Sequence, residues 1–572
     1  MLDLVIRGGD VIDGTGGARR RADVGIRDGR VVALGVVDED AATTIDADGL
    51  VVTPGFIDIH THYDAQVLWD PATTPSPFHG VTSVVGGNCG FTIAPVEPSE
   101  TDYLTRMLAR VEGMPLESLL AGVPFDWRSF GEYLDRIDGN LAVNAGFLVG
   151  HSALRRVVMG DDAVGNAATP EQVDAMTHLL GESLEAGGLG FSSSQATTHN
   201  AGDGTPVPSR SATPDELVAL AGEAGRHEGT TLEFIPSVGG FNEDHLALMA
   251  SMSRAADRPL NWNVLVPNAA RAALAWKALE ASDYAAARGG RVVALTVPDV
   301  MRTHLTFKAG FVFDALPGWA KTMALPPADK MRALADPAER RRLQEGATSK
   351  EAGVLRGIAM WENLTIVEAF APENQALVGR RVGDLATERG QEPFDALLDI
   401  VLADELRTVL LPPLAGNDDA SWQLRRDIWR DGRAVVGASD AGAHLDMLST
   451  FTYCTSMLRS CRERGLMELE EAVHLLTDRQ ARLYGIRNRG RIAEGWFADL
   501  VVLDATRVAP SPVEWRNDLP AGAGRLYAGA EGIEHVLVNG VEIVRGTELT
   551  GDRPGSLLRS GRDTETVSAA PA

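Results

Sequence analysis

The sequence predicts an α/β protein built around a parallel (β/α)8 barrel. From residue 53 to about residue 487, short apolar runs alternate with longer helical stretches, which is the pattern of parallel strands joined by helices. At both ends, in residues 1–52 and 488–550, short strand-like runs are instead separated by glycine turns. The chain has 572 residues, of which 44% are hydrophobic and 23% are charged, so it is long enough to bury a large core.

The two ends of the chain are predicted to form β-structure. The segments LDLVIRGGDVIDG, ADVGIRDGRVVALG and ATTIDADGLVVT alternate or run apolar between Gly and Asp pairs, which is typical of short strands with tight turns. RIAEGWFADLVVLDA and IEHVLVNGVEIVRG repeat this style near the other end, where Asn539-Gly540 is a strong hairpin turn. Residues 551–572 are rich in Gly, Arg, Ser, Thr and Ala, and we expect a disordered tail there.

Nine apolar runs are candidates for the barrel strands. They are Val51–Ile59, Val81–Val85, Val143–Gly150, Gly188–Ser192, Thr230–Ile235, Leu260–Val266, Arg291–Val297, Thr408–Leu411 and Ala434–Ala438. A barrel of this kind has eight strands, so either Arg291–Val297 or Thr408–Leu411 is the seventh, and periodicity does not decide between them. Helical insertions are predicted near 97–139 and 308–353, where they would form lids or subunit contacts.

A candidate metal site begins at the end of the first run. His60 and His62 are two positions apart, so on a strand both imidazoles lie on one face and can reach one ion. The second run leads to Cys89 in a Gly-Gly-Asn-Cys-Gly turn, whose glycines allow backbone geometry that other residues resist. Two imidazoles and a thiolate suit zinc or another divalent metal ion. The alternative is a pair of packed or solvated strand histidines that bind no ion.

These motifs resemble those of one enzyme family. PGFIDIHTHYD resembles the first barrel strand of the amidohydrolase superfamily, and GVTSVVGGNCGFTIAP resembles the second strand of its D-aminoacylase branch, the N-acyl-D-amino-acid deacylases. The resemblance extends from Leu4 to about Arg545. It implies that the strands at both ends form a composite β-sandwich beside the barrel. It also implies that Cys89 is a metal ligand in place of a carboxylated lysine.

The active sites of such barrels lie at the carboxyl ends of the strands, and polar residues follow several of the predicted strands. After the eighth strand, Asp440 stands where the superfamily has its catalytic metal ligand and proton acceptor, with a helix N-cap as the alternative. His444 matches a family position near the substrate. After the third strand, His151 could contact substrate, brace the metal ligands or be structural. The fourth strand and the loop after it offer further substrate-binding candidates, which are Ser192, Ser193 and His199.

The fifth and sixth runs depart from the pattern of the branch. The branch has a metal-binding histidine on each of these strands, whereas this chain has Glu233 on the fifth and Asn263 on the sixth. Asn263 is a poor zinc ligand, although it could hydrogen-bond substrate. The remaining candidate ligands could hold one ion, and they are His60, His62, Cys89 and Asp440. We therefore expect one metal ion, with a second ion bound through Glu233 as the alternative.

These features predict a metal-dependent amidohydrolase that cleaves a C–N amide bond in a small molecule such as an N-acyl amino acid. The alternative enzyme class is a cyclic amide or imide hydrolase of hydantoinase or dihydroorotase type, because such relatives share the His-x-His motif and the aspartate after the eighth strand. The alternative outside enzymes is a binding protein on a decayed barrel, because two histidines are missing.

Charge and cysteine content limit the partners and the location. The formal net charge is -26 and the pI is about 4.9, which argues against nucleic acid as a partner. Three cysteines are too few for a disulfide framework, and we expect Cys454 and Cys461 in the core. The chain lacks a signal-peptide pattern at its start and an apolar run long enough to span a bilayer. We therefore expect a cytoplasmic protein without membrane contact, which could form a homo-oligomer.

Overall fold

The computed structural model describes residues 1–308, 310 and 312–570, and parallel strands form its centre. These strands make a six-stranded and a three-stranded ladder. In chain order they are Phe56–Asp58, Val81–Gly86, Asn144–Phe147, Val149–Gly150, Gly190–Ser194, Thr231–Ile235, Pro259–Leu265, Arg291–Thr296 and Ala434–Val436. All pairings within the two ladders are parallel, as the alternation of strands and helices predicts.

The third strand connects the two ladders. Its first part, Asn144–Phe147, pairs with Val81–Gly86, and its second part, Val149–Gly150, pairs with Gly190–Ser194. Within the described residues, no continuous ladder joins the first strand to the last. Thr61 and Ala441 instead form an isolated parallel bridge just beyond these two strands. The loops that carry His60 and Asp440 are therefore held side by side.

The seventh parallel strand is Arg291–Thr296. It pairs with Pro259–Leu265 on one side and with Ala434–Val436 on the other. The competing candidate, Thr408–Leu411, instead gives the strand Val409–Leu411, which lies in an antiparallel hairpin with Thr365–Glu368. The first predicted run is divided at Gly55, because Val51–Pro54 joins the sheet of the chain ends and Phe56–Asp58 joins the parallel strands.

Helices connect the parallel strands, and three more follow the last of them. They are His151–Met159, Pro170–Glu185, Pro214–Ala224, Glu243–Ala256, Ala272–Ala286, Asp419–Arg430, Tyr453–Arg464, Leu469–Leu476 and Asp478–Tyr484. The start of Pro170–Glu185 is fixed by a capping box between Thr169 and Gln172. Cys454 and Cys461 are buried on the helix Tyr453–Arg464 as free thiols, as predicted. Among the described residues, no helix combines the length and the apolar character that crossing a bilayer requires.

Strands from both ends of the chain form one nine-stranded sheet. The N-terminal part contributes Leu2–Val11, Arg20–Arg27, Arg30–Gly35, Ala41–Asp46 and Val51–Pro54, and the C-terminal part contributes Leu500–Leu503, Ile533–Val538, Val541–Arg545 and Glu548–Leu549. The two parts join where Leu500–Leu503 runs antiparallel to Val51–Pro54. Two small antiparallel pairs lie beyond this sheet, Ala509–Pro510 with Ala530–Glu531 and Glu514–Arg516 with Arg525–Tyr527.

Both predicted insertions are helical, and the second is longer than predicted. The first contains Thr101–Val111, Leu116–Gly122 and Phe130–Ile137. The second contains the hairpin described above and the helices Ala320–Met323, Pro327–Ala335, Pro337–Thr348, Val382–Arg389 and Pro393–Ala403. It has a hydrophobic core of its own, in which the rings of Trp361 and Phe394 stack with centroids 5.0 Å apart. Residues 309 and 311 of the predicted insertion lie outside the described residues.

The tail that was expected to be disordered is instead packed against the rest of the chain as far as residue 570. Gly555 and Leu557 form isolated bridges with Leu141 and Ala145 beside the third parallel strand. Leu557 and Leu558 are each 1% exposed. The polar composition of this segment predicts disorder. Two buried leucines and backbone hydrogen bonds nevertheless hold it against the rest of the chain. Residues 571 and 572 lie outside the described part of the tail.

Candidate metal centre and active site

Cys89 lies in a tight turn after the second parallel strand. Gly87, Cys89 and Gly90 have φ angles of 74°, 58° and 78°, in the left-handed region that glycine enters freely and other residues rarely adopt. A side chain at Gly87 would collide with the carbonyl of Leu148 on the third strand. The glycines therefore let the backbone reverse against the neighbouring strand, which holds the thiol beside the end of the first strand.

The structure brings His60, His62 and Cys89 together. Cys89 Sγ lies 3.4 Å from His60 Nε2 and 3.8 Å from His62 Nε2. The two imidazole rings are 5.4 Å apart and nearly perpendicular. All three side chains are buried, and their ligand atoms lie within 4.8 Å of one another. We call these three residues the ligand cluster.

Asp440 lies beside the ligand cluster, on the loop after the eighth strand. Its Oδ1 is 3.2 Å from His60 Nε2 and 3.9 Å from His62 Nε2. Its φ angle is 52°, and strained backbone of this kind clusters at functional sites. Burial raises the pKa of Asp440, but the contact with His60 outweighs burial and lowers that pKa to about 2. The N-cap alternative does not apply, because the next helical element begins at Thr450.

The residues on the fifth and sixth strands that replace histidine also reach the ligand cluster. Asn263 Nδ2 is 3.2 Å from His60 Nε2 and 3.6 Å from Cys89 Sγ. Glu233 Oε2 accepts a hydrogen bond of 2.8 Å from the backbone N–H of Cys89. Among the described residues, the other side-chain oxygens of Glu233 and Asn263 are buried and make no hydrogen bond. Glu233 thus supports the backbone of the turn that holds Cys89. Its Oε1 has no hydrogen-bond partner among the described residues.

Glu112 is a residue of this site that no sequence motif marks. It follows the helix Thr101–Val111 of the first insertion. Its Oε1 lies 3.4 Å from His62 Nδ1, and its carbonyl accepts a hydrogen bond from the backbone N–H of His444. Burial raises the pKa of Glu112 well above its ordinary value, and the charge of Asp440 adds to the increase. The sequence offers only an acidic residue at the end of an amphipathic helix, which is too common a feature to identify it.

The electrostatics of the site fit a divalent cation. Burial raises the pKa of the Cys89 thiol well above its ordinary value, and the charge of Glu233 adds to this shift. Burial also raises the pKa of Glu233 to about 7. A divalent ion among these groups would favour their ionised forms, and imidazole, thiolate and carboxylate are the donors that zinc prefers. The residues present therefore fit a metal ion. The Glu233 oxygen that makes no hydrogen bond among the described residues is consistent with a cation nearby.

The structure places the predicted substrate-binding residues Ser192, Ser193 and His151 in hydrogen bonds within the chain. Their contact with substrate stays a prediction. All three side chains are 0% exposed. Ser192 Oγ donates a hydrogen bond of 2.5 Å to the carbonyl of Gly87 and so braces the turn after the second strand. His151 lies between Ser193 Oγ, at 2.8 Å, and Glu216 Oε1, at 2.9 Å. These contacts brace the strands from within. A position near a strand end does not by itself reveal whether a side chain lines an opening.

Two other histidines that the sequence singles out lie near Asp440. Burial lowers the pKa of His444, and the charge of Asp440 opposes that decrease. Burial lowers the pKa of His199 to about 3, and the charges of His444 and Arg210 add to the decrease. His199 Nδ1 is 2.7 Å from Ser194 Oγ. Both imidazoles are therefore expected to be neutral near pH 7.

A cavity of about 790 Å³ lies between the two insertions and the hairpin around Trp515. This volume is within the range of about 300–1,000 Å³ that is usual for small-molecule sites. A smaller cavity, lined by His444, shares part of its wall with the large one. The shared residues are Gly113, His304, Thr306 and Asp446. The large cavity therefore adjoins the smaller cavity that His444 lines.

Comparison with known proteins agrees with this arrangement. Residues 43–544 match the amidohydrolase family. The chain is 30% identical to an N-acyl-D-glutamate deacylase from Alcaligenes xylosoxydans xylosoxydans, across 100% of this chain and 98% of that protein.

Two solved structures are also similar over nearly the whole chain. One is a D-aminoacylase with a binuclear metal centre, at 25% identity and a TM-score of 0.65, covering 98% of this chain and 100% of the other. The second is an N-acyl-D-glutamate deacylase from Bordetella bronchiseptica complexed with zinc and a phosphonate that mimics the tetrahedral intermediate. It has 26% identity and a TM-score of 0.65, with the same coverage of 98% and 100%. The chain therefore belongs to the amidohydrolase family, in its D-aminoacylase branch.

Proposed function

We propose that this protein is a metal-dependent hydrolase that cleaves the amide bond of an N-acyl amino acid. The observation that carries the proposal is the convergence of the ligand cluster with Asp440 at the carboxyl ends of the first, second and eighth strands. A cavity of small-molecule size shares wall residues with a smaller cavity that His444 lines. The deacylases to which the chain is similar support an open-chain amide as the substrate.

His60, His62, Cys89 and Asp440 are the residues that would hold the metal ion. The ligand atoms of His60, His62 and Cys89 are buried together, and Asp440 Oδ1 lies within 4 Å of both imidazoles. When bound, a divalent ion of this kind polarises a carbonyl group and lowers the pKa of water. Glu112 faces the outer ring nitrogen of His62, which leaves Nε2 of that ring to the metal.

Asp440 is the residue placed to move the proton. Its carboxylate is ionised at neutral pH, because its pKa is about 2. It can accept a proton from the attacking water and deliver it to the leaving nitrogen. Hydrolysis then consumes one water molecule and gives a carboxylic acid and an amine.

The proposal includes the architecture that the family resemblance implies. The two parallel ladders would make one (β/α)8 barrel across residues 53–487, because they share the third strand and the Thr61–Ala441 bridge links their other edges. The nine-stranded sheet from residues 1–52 and 488–550 would be the composite sandwich beside it.

The test is a substrate comparison with metal content measured on the same preparations. We expect N-acetyl amino acids to be hydrolysed and activity to disappear in a chelator and return with zinc. Hydantoin and dihydroorotate are the matched cyclic substrates, and turnover of these alone would contradict the proposal. Stoichiometric metal without turnover of any amide would favour a binding protein instead.

A further inference from the structure

Lys330 is a buried cation in the wall of the large cavity. It lies on the helix Pro327–Ala335 of the second insertion and is 3% exposed. Its ammonium donates hydrogen bonds to the carbonyl oxygens of Phe307, at 3.1 Å, and Lys308, at 3.0 Å. An ammonium group has three donor hydrogens. Among the described residues, the two neutral carbonyls leave one N–H of Lys330 without an acceptor and its ammonium without a carboxylate partner.

The arginines that line this cavity are matched by acids of the protein, including Arg407 with Glu405 at 3.6 Å. Arg110 pairs with Asp314 at 2.9 Å, and Arg106 pairs with Asp102 at 2.9 Å. Within the described residues, no carboxylate lies within the 4.0 Å that defines an ion pair with Lys330. Asp314 is the acid whose charge acts on Lys330, and its Oδ2 forms the ion pair with Arg110.

The acids in the cavity wall do not supply the missing partner. Glu117 and Glu368 are exposed, so water solvates their charges. Burial raises the pKa of Asp446 to about 6, and the charge of Lys308 is among the groups that oppose this increase. Lys308 is exposed, which makes Lys330 the buried member of the two lysines in this wall.

We infer that Lys330 binds a carboxylate group of the substrate inside this cavity. A buried charge without a counter-charge is unfavourable, and a carboxylate in the cavity would supply both the counter-charge and an acceptor for the remaining N–H. Burial lowers the pKa of Lys330 to about 7, and an anion beside the ammonium would raise it again. The inference rests on the proposed function, which supplies a substrate that carries a carboxylate.

The placement of Lys330 suits this role. The cavity that it lines shares wall residues with the smaller cavity at His444, and His444 lies on the same loop as Asp440. The carboxylate that binds Lys330 could be either of two groups in the substrate. Every N-acyl amino acid has an α-carboxylate, and acidic ones have a second in the side chain.

Kinetics of Lys330→Met on two matched substrate pairs test the inference and separate the two carboxylates. N-acetylglutamate against N-acetylglutamine reports on the side-chain carboxylate, and N-acetylleucine against N-acetylleucinamide reports on the α-carboxylate. For the substrate pair that differs in the carboxylate bound by Lys330, we expect Lys330→Met to raise KM for the charged substrate about 10–100-fold. The neutral partner in that pair should change little, and kcat should change less than KM.

Lys321→Met is the control, because Lys321 is an exposed lysine on the same insertion and does not line the cavity. Lys330→Arg keeps the charge and should retain most of the preference for the charged substrate. Equal preference for charged and neutral substrates in wild type and Lys330→Met, in both arms, would overturn the inference while leaving the deacylase proposal intact.

Calorimetric titration tests the inference even if the protein hydrolyses no amide or Lys330→Met does not fold. Wild type and Lys330→Arg would be titrated with each charged compound and its neutral partner. Tighter binding of the charged compound in one arm would support the inference even if no amide is hydrolysed. Equal affinity within both pairs would overturn it.

Discussion

Glu112 Oε1 lies 3.4 Å from Nδ1 of His62, and each of the two side chains is 3% exposed. A carboxylate on one ring nitrogen fixes the tautomer of an imidazole and increases the basicity of its other nitrogen. That other nitrogen, Nε2, is the one that faces Cys89 Sγ. This contact places a carboxyl group of an inserted helical segment beside a side chain that follows the first parallel strand.

Replacing Glu112 with glutamine should weaken metal binding by about 10–100-fold. The amide keeps the shape of the side chain but cannot ionise to the carboxylate that favours a proton on His62 Nδ1. Competition with a chromophoric chelator measures the affinity. Glu117→Gln is the matched control, because Glu117 is an exposed glutamate in the same insertion. Equal metal affinity in Glu112→Gln and wild type would show that Glu112 does not position His62.

Replacing His60 and His62 together with alanine should remove the bound metal and abolish turnover. The two rings supply the nitrogen donors of the ligand cluster, and the thiolate alone is a poor site for a divalent ion. Elemental analysis and amide hydrolysis measure the two losses, and circular dichroism checks that the fold persists. Full activity in this double variant is the result that would refute the metal assignment.

Asp440→Asn should reduce kcat by about 10²–10⁴-fold, which is the usual contribution of a general base. The amide has nearly the same size but cannot accept the proton of the attacking water. Steady-state kinetics at saturating metal measures the effect and separates it from weaker metal binding. A decrease of less than about threefold would mean that another group takes the proton.

Protein purified without added metal should contain about one equivalent of metal, because one complete set of ligands is present. Elemental analysis of wild type and Glu233→Gln measures the stoichiometry. Glu233 donates no ligand atom to the ligand cluster and instead accepts a hydrogen bond from Cys89. Two equivalents in wild type and one in Glu233→Gln would identify Glu233 as the ligand of a second ion.

Leu557→Ala should lower the free energy of unfolding by about 2–5 kcal/mol, the usual effect of truncating a buried leucine. Leu557 is 1% exposed in the packed tail. Denaturant unfolding measures the change, and Leu549→Ala is the control because Leu549 is 39% exposed. Equal stability of the two variants would show that the tail contributes little to the folded state.

The ends of the parallel strands could be predicted from the sequence because each signal is local. His60 and His62 follow an apolar run, and Cys89 lies in a glycine turn that only a positive φ angle explains. Asp440 follows the last apolar run in the same way. In each case a periodic pattern and a turn signal fall within about ten residues, so no knowledge of the tertiary fold is needed.

The parts of the site that the sequence does not predict depend on contacts between distant segments. Glu112 reaches His62 only because the first insertion folds back over the end of the first strand. The burial of Ser192 and Ser193 depends on what packs against the fourth strand, which periodicity does not encode. The second insertion is underestimated because its closing hairpin pairs segments more than forty positions apart, Thr365–Glu368 and Val409–Leu411.

The side-by-side placement of residues 60 and 440 has a consequence for how the protein is made. Ser439 Oγ donates a hydrogen bond to the carbonyl of His60 across 379 positions of sequence. A ribosome adds roughly 5–20 residues per second, so on the order of tens of seconds separate the synthesis of the two loops. For that time the nascent chain exposes two imidazoles and a thiol without the carboxylate that completes them. The complete metal centre is thus a late product of translation.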